Sequence, residues 1–438
     1  MRNLGNEKLY RLCGLLLLTM WTLTAWSVEN YPYRSDYQWV TVPSHADWLY
    51  KTGEQAEVEV MFFKYGVPRD GTVEYAIGTD LLEADTHGKA QLRHGRCTIK
   101  MGTARRSCFR DLRLQLTLDG KTYHHHVKVG FSPEQIRPFT QQPADFQAYW
   151  QQCLRETADL PLKFTKEPFP AYSSDKVECF LVKLEVDRQR HSLYGYLMMP
   201  RGAKPGSCPV VLTPPGAGVK TIKQAVERSY FQEQGVIRLV TEIHGLNPTL
   251  DDATFSDLSR AFGNYLEMGL ESRDTYYMRH VYQGLVRCID LLTSLPEWDG
   301  RNVITLGGSQ GGALALVAAA LDPRVTLCVA NHPALSDMGA ASQPDRTHGY
   351  PHFKPALLTP AALATLAYYD VVNFAPYIKA RTCLTWGYND NVCPPTTSYA
   401  VWNLLTCPKE SLITPVNEHW TSDATNRWQL DWLLRHIK

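Results

Sequence analysis

Two patterns of apolar and polar positions divide the chain. Between residues 28 and 132, short runs such as 56–63 and 112–118 alternate apolar and polar side chains, and turn sequences such as Asp119-Gly120 separate them. Alternation is typical of half-buried strands, because successive side chains of a strand point to opposite faces. With no helical stretch among them, these runs predict a small antiparallel β-sandwich over residues 28–132.

The remainder of the chain predicts an α/β fold. A linker is expected over residues 133–145, where Pro138 and Pro143 discourage a long helix, and a helical pattern begins at Phe146. From about residue 177, apolar strands alternate with helices, which predicts a mostly parallel sheet with helices on both faces over residues 146–438. The predicted strands are 177–186, 209–213, 236–243, 302–306, 326–330, 382–386 and 411–415, and the clearest predicted helices are 278–294, 311–321 and 396–405.

The first 27 residues are typical of a secretory signal peptide. Arg2, Lys8 and Arg11 form a basic segment, an apolar run follows over 15–23, and Ala25-Trp26-Ser27 is a small-x-small cleavage site. A membrane anchor is the alternative, but the run is shorter than the roughly 20 residues that span a bilayer. We therefore expect a periplasmic or secreted protein with no membrane span after cleavage.

Charge and cysteine usage narrow the classes of partner and cofactor. Lys and Arg number 45 against 44 Asp and Glu, which gives no electrostatic case for binding nucleic acid or an anionic membrane. The 11 cysteines are scattered without a C-x-x-C pair. Cys97 and Cys108 could form a disulfide or remain free buried thiols. The tract 124–126 of three histidines alternates like a strand, so its side chains cannot share one face, and no metal site is expected.

The strongest motif is the segment Gly307-Gly308-Ser309-Gln310-Gly311. It follows a predicted strand and precedes a predicted helix, as a G-x-S-x-G nucleophile elbow requires. The glycines allow the tight turn, and the helix N-terminus favours a developing oxyanion, for which the Gln310 N–H is one candidate donor. A glycine-rich strand–helix turn without catalytic function is the alternative interpretation.

Two further residues follow in the order that such a serine hydrolase requires. Asp390 lies in the loop after the predicted strand 382–386, and His419 lies just beyond the strand 411–415. Ser309, Asp390 and His419 therefore predict a catalytic triad at the carboxyl ends of the strands. The competing acids do not directly follow a strand end, and the competing histidines precede Asp390: Asp337, Asp370, His332, His348 and His352.

The loop Pro214-Pro215-Gly216-Ala217-Gly218 is the candidate for the second half of the oxyanion hole. It follows the predicted strand 209–213, and Gly216 would allow a close backbone approach. The N–H of Ala217 is therefore the predicted second donor. An ordinary proline- and glycine-containing loop is the alternative.

Three segments of the chain resemble motifs of a known family. The elbow 307–312, the upstream segment 274–282 and the segment 387–395 are similar to motifs of the acetyl xylan esterase/cephalosporin C deacetylase family, carbohydrate esterase family seven of the α/β-hydrolases. The similarity covers roughly residues 140–438, and residues 28–132 resemble the Ig-like module that precedes some secreted relatives. The resemblance implies Ser309, Asp390 and His419 as triad, Gln310 and Ala217 as oxyanion donors, no metal or organic cofactor, and a homo-oligomer.

The sequence departs from that family at three places. Ala217 stands where the family commonly has tyrosine, and Glu418 and Trp420 flank His419 where the family often has His-Glu. The family's Arg-Gly-Gln segment corresponds to residues 243–246, which makes His244 a possible substrate contact, with a surface-loop histidine as the alternative. These departures bear on the substrate and leave the reaction type unchanged.

Together these features predict a serine carboxylesterase that removes acetyl groups from acetylated oligo- or polysaccharides. Another hydrolase activity on the same fold, such as a peptidase or methyl esterase, is one alternative, because fold and triad do not fix the acyl group. A non-catalytic carbohydrate-binding protein is the other.

Overall fold

Residues 35–227 and 234–437 are described by a computed structural model of the chain. The predicted signal peptide, residues 1–27, lies outside these ranges. Within them, no helix has the length and apolar character needed to cross a membrane. The ten cysteines that the structure describes are all free thiols, including Cys97 and Cys108.

The N-terminal strands form two sheets that share one core. One sheet contains β1, β3, β4 and β7, and the other has the order β2-β9-β8-β5-β6. Val58 and Phe62 of one sheet are buried together with Leu112 and Leu116 of the other, as alternation predicts. All pairings are antiparallel except the short β2–β9 contact. The strands are β1 (Tyr37–Pro43), β2 (Leu49–Tyr50), β3 (Ala56–Lys64), β4 (Val67–Pro68), β5 (Gly71–Thr79), β6 (Ala84–Leu92), β7 (Arg96–Gly102), β8 (Cys108–Leu118) and β9 (Lys121–Phe131).

The antiparallel sheets predicted for this region are therefore confirmed. The assignment of residues 28–132 as an Ig-like domain, and of residues 133–145 as a linker, stays a prediction. Part of that predicted linker is fixed to the following unit, since the N–H groups of Phe139 and Thr140 both donate to the carboxylate of Asp337.

The rest of the chain builds a nine-stranded sheet. Its strand order is β10-β11-β12-β14-β13-β15-β16-β17-β18. The pairings β10–β11, β11–β12 and β12–β14 are antiparallel, and all pairings from β14 to β18 are parallel. The predicted α/β class with a largely parallel sheet is confirmed. The strands are β10 (Phe164–Pro168), β11 (Val177–Glu185), β12 (Ser192–Pro200), β13 (Cys208–Thr213), β14 (Ile237–Thr241), β15 (Trp298–Gly308), β16 (Leu327–Asn331), β17 (Arg381–Trp386) and β18 (Lys409–Ile413).

Helices cover both faces of this sheet. On one face the main core includes Leu285 and Leu314, and on the other face Trp432 packs with Ile304 and Val329 of the sheet. The strands buried between these layers are mostly apolar, as expected for parallel strands covered on both sides. The α-helices are α1 (Phe146–Ala158), α2 (Lys223–Glu227), α3 (Asp252–Phe262), α4 (Met278–Ser294), α5 (Gln310–Leu321), α6 (Pro360–Leu366), α7 (Val371–Phe374), α8 (Pro395–Leu404) and α9 (Asp423–His436).

The N-terminal sheets pack directly on the larger unit. The ring of Phe109 in β8 lies 5.0 Å from the ring of Tyr388 and 5.6 Å from that of Tyr399, measured between centroids. Trp48 also approaches Tyr388, at 6.5 Å. The contact therefore falls on the loop after β17, which carries Asp390, and on α8, which contains Tyr399.

Candidate active site

Ser309 occupies a sharp turn between β15 and α5. Its backbone angles, φ 57° and ψ −125°, lie in a region that non-glycine residues rarely adopt. The Ser309 N–H donates to the carbonyl of Asn331 at 3.0 Å, and its own carbonyl accepts from Ala313 and Ala334 at 3.0 Å each. Three backbone hydrogen bonds thus hold the serine in this conformation, as predicted for a nucleophile elbow.

The glycines of the turn permit close contacts between backbones. A Cβ atom at Gly307 would lie 2.3 Å from the carbonyl oxygen of Gly311, and one at Gly311 would lie 2.6 Å from that of Pro214. Real Cβ atoms do not approach so closely, so both positions require glycine. The second contact also places the loop that contains Ala217 against the start of α5.

Asp390 and His419 reach Ser309 from neighbouring strand ends. Asp390 follows β17 and His419 follows β18, which are parallel neighbours. The His419 Nε2 atom lies 3.0 Å from Ser309 Oγ, and His419 Nδ1 lies 2.8 Å from Asp390 Oδ2. The structure therefore brings together the three residues that the sequence predicts as a triad.

The hydrogen bonds of Asp390 determine which ring nitrogen of His419 carries the hydrogen. The carboxylate is fully buried, and its Oδ1 atom accepts from the N–H groups of Val392 at 2.7 Å and Cys393 at 2.8 Å. Because a carboxylate can only accept, His419 Nδ1 carries the hydrogen and Nε2 is left to accept from the Ser309 hydroxyl. This arrangement lets His419 act as a general base toward Ser309.

The loops of the acid and the base are tied to each other. A Cβ atom at Gly387 would lie 2.0 Å from the carbonyl oxygen of Asn417, so the two loops touch through their backbones. The N–H of Asn389 donates to that same carbonyl at 3.1 Å, and the N–H of Tyr388 donates to the carbonyl of Pro415 at 3.1 Å. These contacts fix the spacing of Asp390 and His419.

The predicted oxyanion donors lie on two connected segments. Gln310 is the first residue of α5, where backbone N–H groups lack intrahelical partners and the helix dipole is positive. The phenol of Tyr265 donates to the side-chain oxygen of Gln310 at 2.5 Å and accepts from the N–H of Gly218 at 3.3 Å. Tyr265 thus links Gln310 to the loop of Ala217, whose role as second donor stays a prediction.

His244 lies beneath that loop. Its Nδ1 atom is 2.8 Å from the Tyr277 hydroxyl, its Nε2 atom is 3.4 Å from the carbonyl oxygen of Gly218, and its ring packs edge-on against Tyr265. Burial lowers the pKa of His244 to about 4. A neutral imidazole can satisfy both contacts, with Nε2 donating and Nδ1 accepting. Both ring nitrogens therefore have protein partners, and the substrate contact stays a prediction.

The ring of His332 packs against that of His419. Its ring centroid lies 4.3 Å from that of His419, and burial, followed by repulsion from His419, lowers the pKa of His332 to about 4. Among the residues described, His332, Asp390 and His419 are the one group of three whose ligand atoms lie close enough to hold a metal ion. Asp390 and His419 are already hydrogen-bonded to each other, so the geometry fits a triad better than a metal site.

A cavity opens beside His419. Its volume is about 1060 Å³, and Gly216, His332 and Trp420 contribute to its lining. Trp420 is 51% exposed, which is unusual for so large an apolar side chain. The site therefore has both room for a bulky group and an aromatic surface next to the base.

Sequence reasoning missed three residues around this site. Tyr265 gave no signal, because it belongs to no motif and a single tyrosine usually means core packing. Lys128 lies on β9 with its Nζ atom 2.7 Å from the carbonyl oxygen of Asp390, and Asp80 pairs with it. In the sequence, Lys128 alternates with valines and matches the solvent face of a strand.

Comparison with known proteins shows the family and agrees with the fold. The family model for acetyl xylan esterase (AXE1) matches residues 133–436. The acetyl esterase Axe7A of Xylanibacter ruminicola is 53% identical over 438 residues, which covers 99% of this chain and 98% of that protein. This similarity extends through the N-terminal sheets.

Two solved structures share the fold at lower sequence identity. An acetyl xylan esterase from Paenibacillus sp. has a TM-score of 0.60 and 23% identity, over 70% of this chain and 98% of that chain. Acetyl xylan esterase 1 from Thermoanaerobacterium sp. has a TM-score of 0.59 and 21% identity, over the same shares, 70% and 98%. With the family model matched over most of its length, the chain belongs to the acetyl xylan esterase family.

Proposed function

We propose that this protein is a serine carboxylesterase that removes acetyl groups from acetylated sugars through Ser309, His419 and Asp390. The observation that carries the proposal is the continuous hydrogen-bond chain from Ser309 Oγ through His419 to the buried Asp390. Because the protein belongs to the acetyl xylan esterase family, we assign these three residues to the hydrolysis of an acetyl ester.

The mechanism follows from the protonation pattern. His419 Nε2 takes the hydroxyl proton of Ser309 as Oγ attacks the acyl carbonyl, and Asp390 stabilises the imidazolium that forms. The backbone N–H groups of Gln310 and Ala217 bind the tetrahedral oxyanion; one such donor contributes about 10²–10³ in turnover. The sugar departs with the proton from His419, and a water activated by the same histidine then releases acetate from the acyl-enzyme.

The class of substrate rests on the relatives and on the shape of the site. The relatives are named for acetyl esters and acetyl xylan. The cavity beside His419 has space for a sugar ring, and the exposed indole of Trp420 offers the flat apolar surface on which sugar faces stack. We infer that an acetylated xylo-oligosaccharide or a related acetylated glycan is the substrate.

A substrate panel tests this function. Acetate release by the chain without residues 1–27 is measured on acetylated xylan, acetylated xylo-oligosaccharides and acetylated pectin, with 4-nitrophenyl acetate as a small ester. We expect release from the xylo-oligosaccharides at a rate comparable to that from the small ester. Faster cleavage of a methyl ester or a dipeptide amide would replace the proposal with another hydrolase activity, and inactivity on every ester would favour a carbohydrate-binding protein.

The proposal includes export through a cleaved signal peptide over residues 1–27. Enzymes that act on polysaccharides too large to enter a cell work outside the cytoplasm, which agrees with the basic and apolar segments there. Expression of the full chain followed by intact-mass measurement tests this, with loss of the first 27 residues expected and an unprocessed N-terminus contradicting it.

A further inference from the structure

Two charged residues of the N-terminal sheets are buried against the larger unit. Lys128 lies on β9 and Asp80 directly follows β5; the Lys128 Nζ and Asp80 Oδ1 atoms are 2.6 Å apart, and both side chains are fully buried. Removing two charges from water is costly, and apolar residues of the same volume often give equal or greater stability. Stability alone is therefore a weak explanation of this pair, and its other contacts matter.

Lys128 holds the loop of the proposed catalytic acid at two points. Its ammonium donates to the carbonyl oxygen of Asp390 at 2.7 Å, and its backbone N–H donates to Asn389 Oδ1 at 2.9 Å. A charged donor makes a stronger hydrogen bond than a neutral one, above all where water is excluded. The backbone of Asp390 is thus fixed by a residue outside the unit that carries the triad.

Asp80 extends the same contact to two further segments. Its Oδ2 atom accepts from the hydroxyl of Thr396 at 3.1 Å, at the start of α8. Its carbonyl oxygen accepts from the hydroxyl of Thr347 at 2.6 Å. The pair therefore ties the N-terminal sheets to three segments of the larger unit, at residues 347, 389–390 and 396.

The same strand also approaches the loop of the base. His126 precedes Lys128 by two residues and so lies on the same face of β9. Its Nε2 atom is 3.7 Å from a carboxylate oxygen of Glu418, the neighbour of His419, and its Nδ1 atom is 3.1 Å from Asp111. One face of β9 thus contacts both loops that carry triad residues.

We propose that Lys128 is a positioning residue of the active site and that the N-terminal sheets complete that site. Lys128 does not contact the reacting atoms. It acts through Asp390, because holding the Asp390 carbonyl keeps the carboxylate within 2.8 Å of His419 Nδ1. The inference rests on the proposed function, since a positioning role requires that Asp390 is the catalytic acid.

The decisive variant removes the pair without leaving a lone buried charge. Asp80→Asn together with Lys128→Met keeps the volume of both side chains and deletes the ammonium that bonds to Asp390. We expect kcat on 4-nitrophenyl acetate to fall by about 10- to 100-fold, the loss expected from a misplaced group, while KM changes by less than about twofold. Labelling of Ser309 by a serine-reactive phosphonate should slow in parallel with kcat.

Val60→Ala is the matched control. Val60 is fully buried in the core of the same sheets and forms no part of the contact with Asp390. It should lower the unfolding temperature yet keep the wild-type kcat when both variants are assayed well below unfolding. An equal fall of kcat in this control would mean that Lys128 contributes only to the stability of the fold, and it would overturn the inference.

Asn389→Ala covers the case in which the double variant does not fold. It removes the acceptor of the Lys128 N–H, so it should also lower kcat at unchanged KM. Wild-type kcat and labelling rate in either variant, or a rise in KM alone, would overturn the inference. By contrast, a wild-type chain that the phosphonate does not label at Ser309 would mean that the proposed function itself is wrong.

Discussion

The phenol of Tyr265 donates a hydrogen bond of 2.5 Å to the side-chain oxygen of Gln310. The phenol oxygen of Tyr265 also accepts a hydrogen bond from the N–H of Gly218, one residue after Ala217. Burial raises the pKa of Tyr265, so the phenol stays protonated and can donate and accept at once. A single hydroxyl thus sets the separation of the two segments that carry the proposed oxyanion donors.

Tyr265→Phe should therefore weaken the oxyanion hole without removing either of its proposed donors. We expect kcat to fall by about tenfold, less than the 10²–10³ lost with a whole donor, at nearly constant KM. Tyr276→Phe is the matched control, because the Tyr276 hydroxyl is buried without a hydrogen-bond partner among the residues described. Equal steady-state kinetics in the two variants would show that the link through Tyr265 has no catalytic effect.

Asp390→Asn tests the assigned acid. An amide can donate to His419 Nδ1 and so favours the tautomer with its hydrogen on Nε2, which cannot accept the Ser309 proton. We expect kcat to fall by about 10⁴-fold with the fold retained. Glu418→Gln is the comparison, since the Glu418 side chain is 63% exposed and lies 3.7 Å from the His126 ring nitrogen, beyond hydrogen-bond distance. Steady-state assays in which Asp390→Asn stays active would assign the acid to another residue.

Adjacent glycines of the elbow should differ sharply in their tolerance of a methyl group. At Gly307 a Cβ would lie 2.3 Å from a backbone oxygen, whereas at Gly308 its nearest neighbours are side-chain atoms at 3.6 Å. Gly307→Ala should lower the free energy of unfolding by about 3 kcal/mol or prevent folding, and Gly308→Ala by much less. Denaturant unfolding of the two variants measures this, and similar losses would contradict the geometry of the turn.

The buried His332 should make stability depend on pH. Its pKa is about 4 in the folded chain and 6.5 as a model value, so the unfolded chain binds more protons between these limits. Stability should therefore fall as the pH decreases from 6.5 to 4, by about 1.4 kcal/mol per pH unit from this group. His332→Asn, which suits the positive φ of 29°, removes that slope. Parallel unfolding curves of wild type and variant across this range would contradict the assignment.

The regular elements could be predicted because their patterns are local. The predicted helix 278–294 coincides with α4, and the predicted strand 382–386 differs from β17 by one residue. The antiparallel strands β10 and β12 were not predicted. Most of β10 is exposed, so it has little apolar pattern, and Gly195 with four consecutive buried residues disguises β12. The antiparallel pairing of β10, β11 and β12 is a property of the assembled sheet, which no single segment encodes.

The residues of the candidate site were likewise predictable only in part. The proximity of Ser309, Asp390 and His419 could be predicted because each follows a strand, and strand order fixes which ends meet. Lys128 could not, because a lysine between two valines is typical of a solvated strand face until another unit covers that face. His244, by contrast, was selected from the sequence, because its place in the motif suggests a substrate contact. In the structure its ring nitrogens face protein atoms.

Ser309 is the proposed nucleophile of an acetyl esterase. The most direct measurement is acetate release from acetylated xylo-oligosaccharides by wild type and Ser309→Ala at equal folded concentration. Ser398→Ala is the control, since its hydroxyl is buried without a partner in the described part of the chain. We predict a loss of at least about 10⁴-fold in Ser309→Ala and wild-type rates in the control. Wild-type acetate release by Ser309→Ala would show that Ser309 is not the nucleophile.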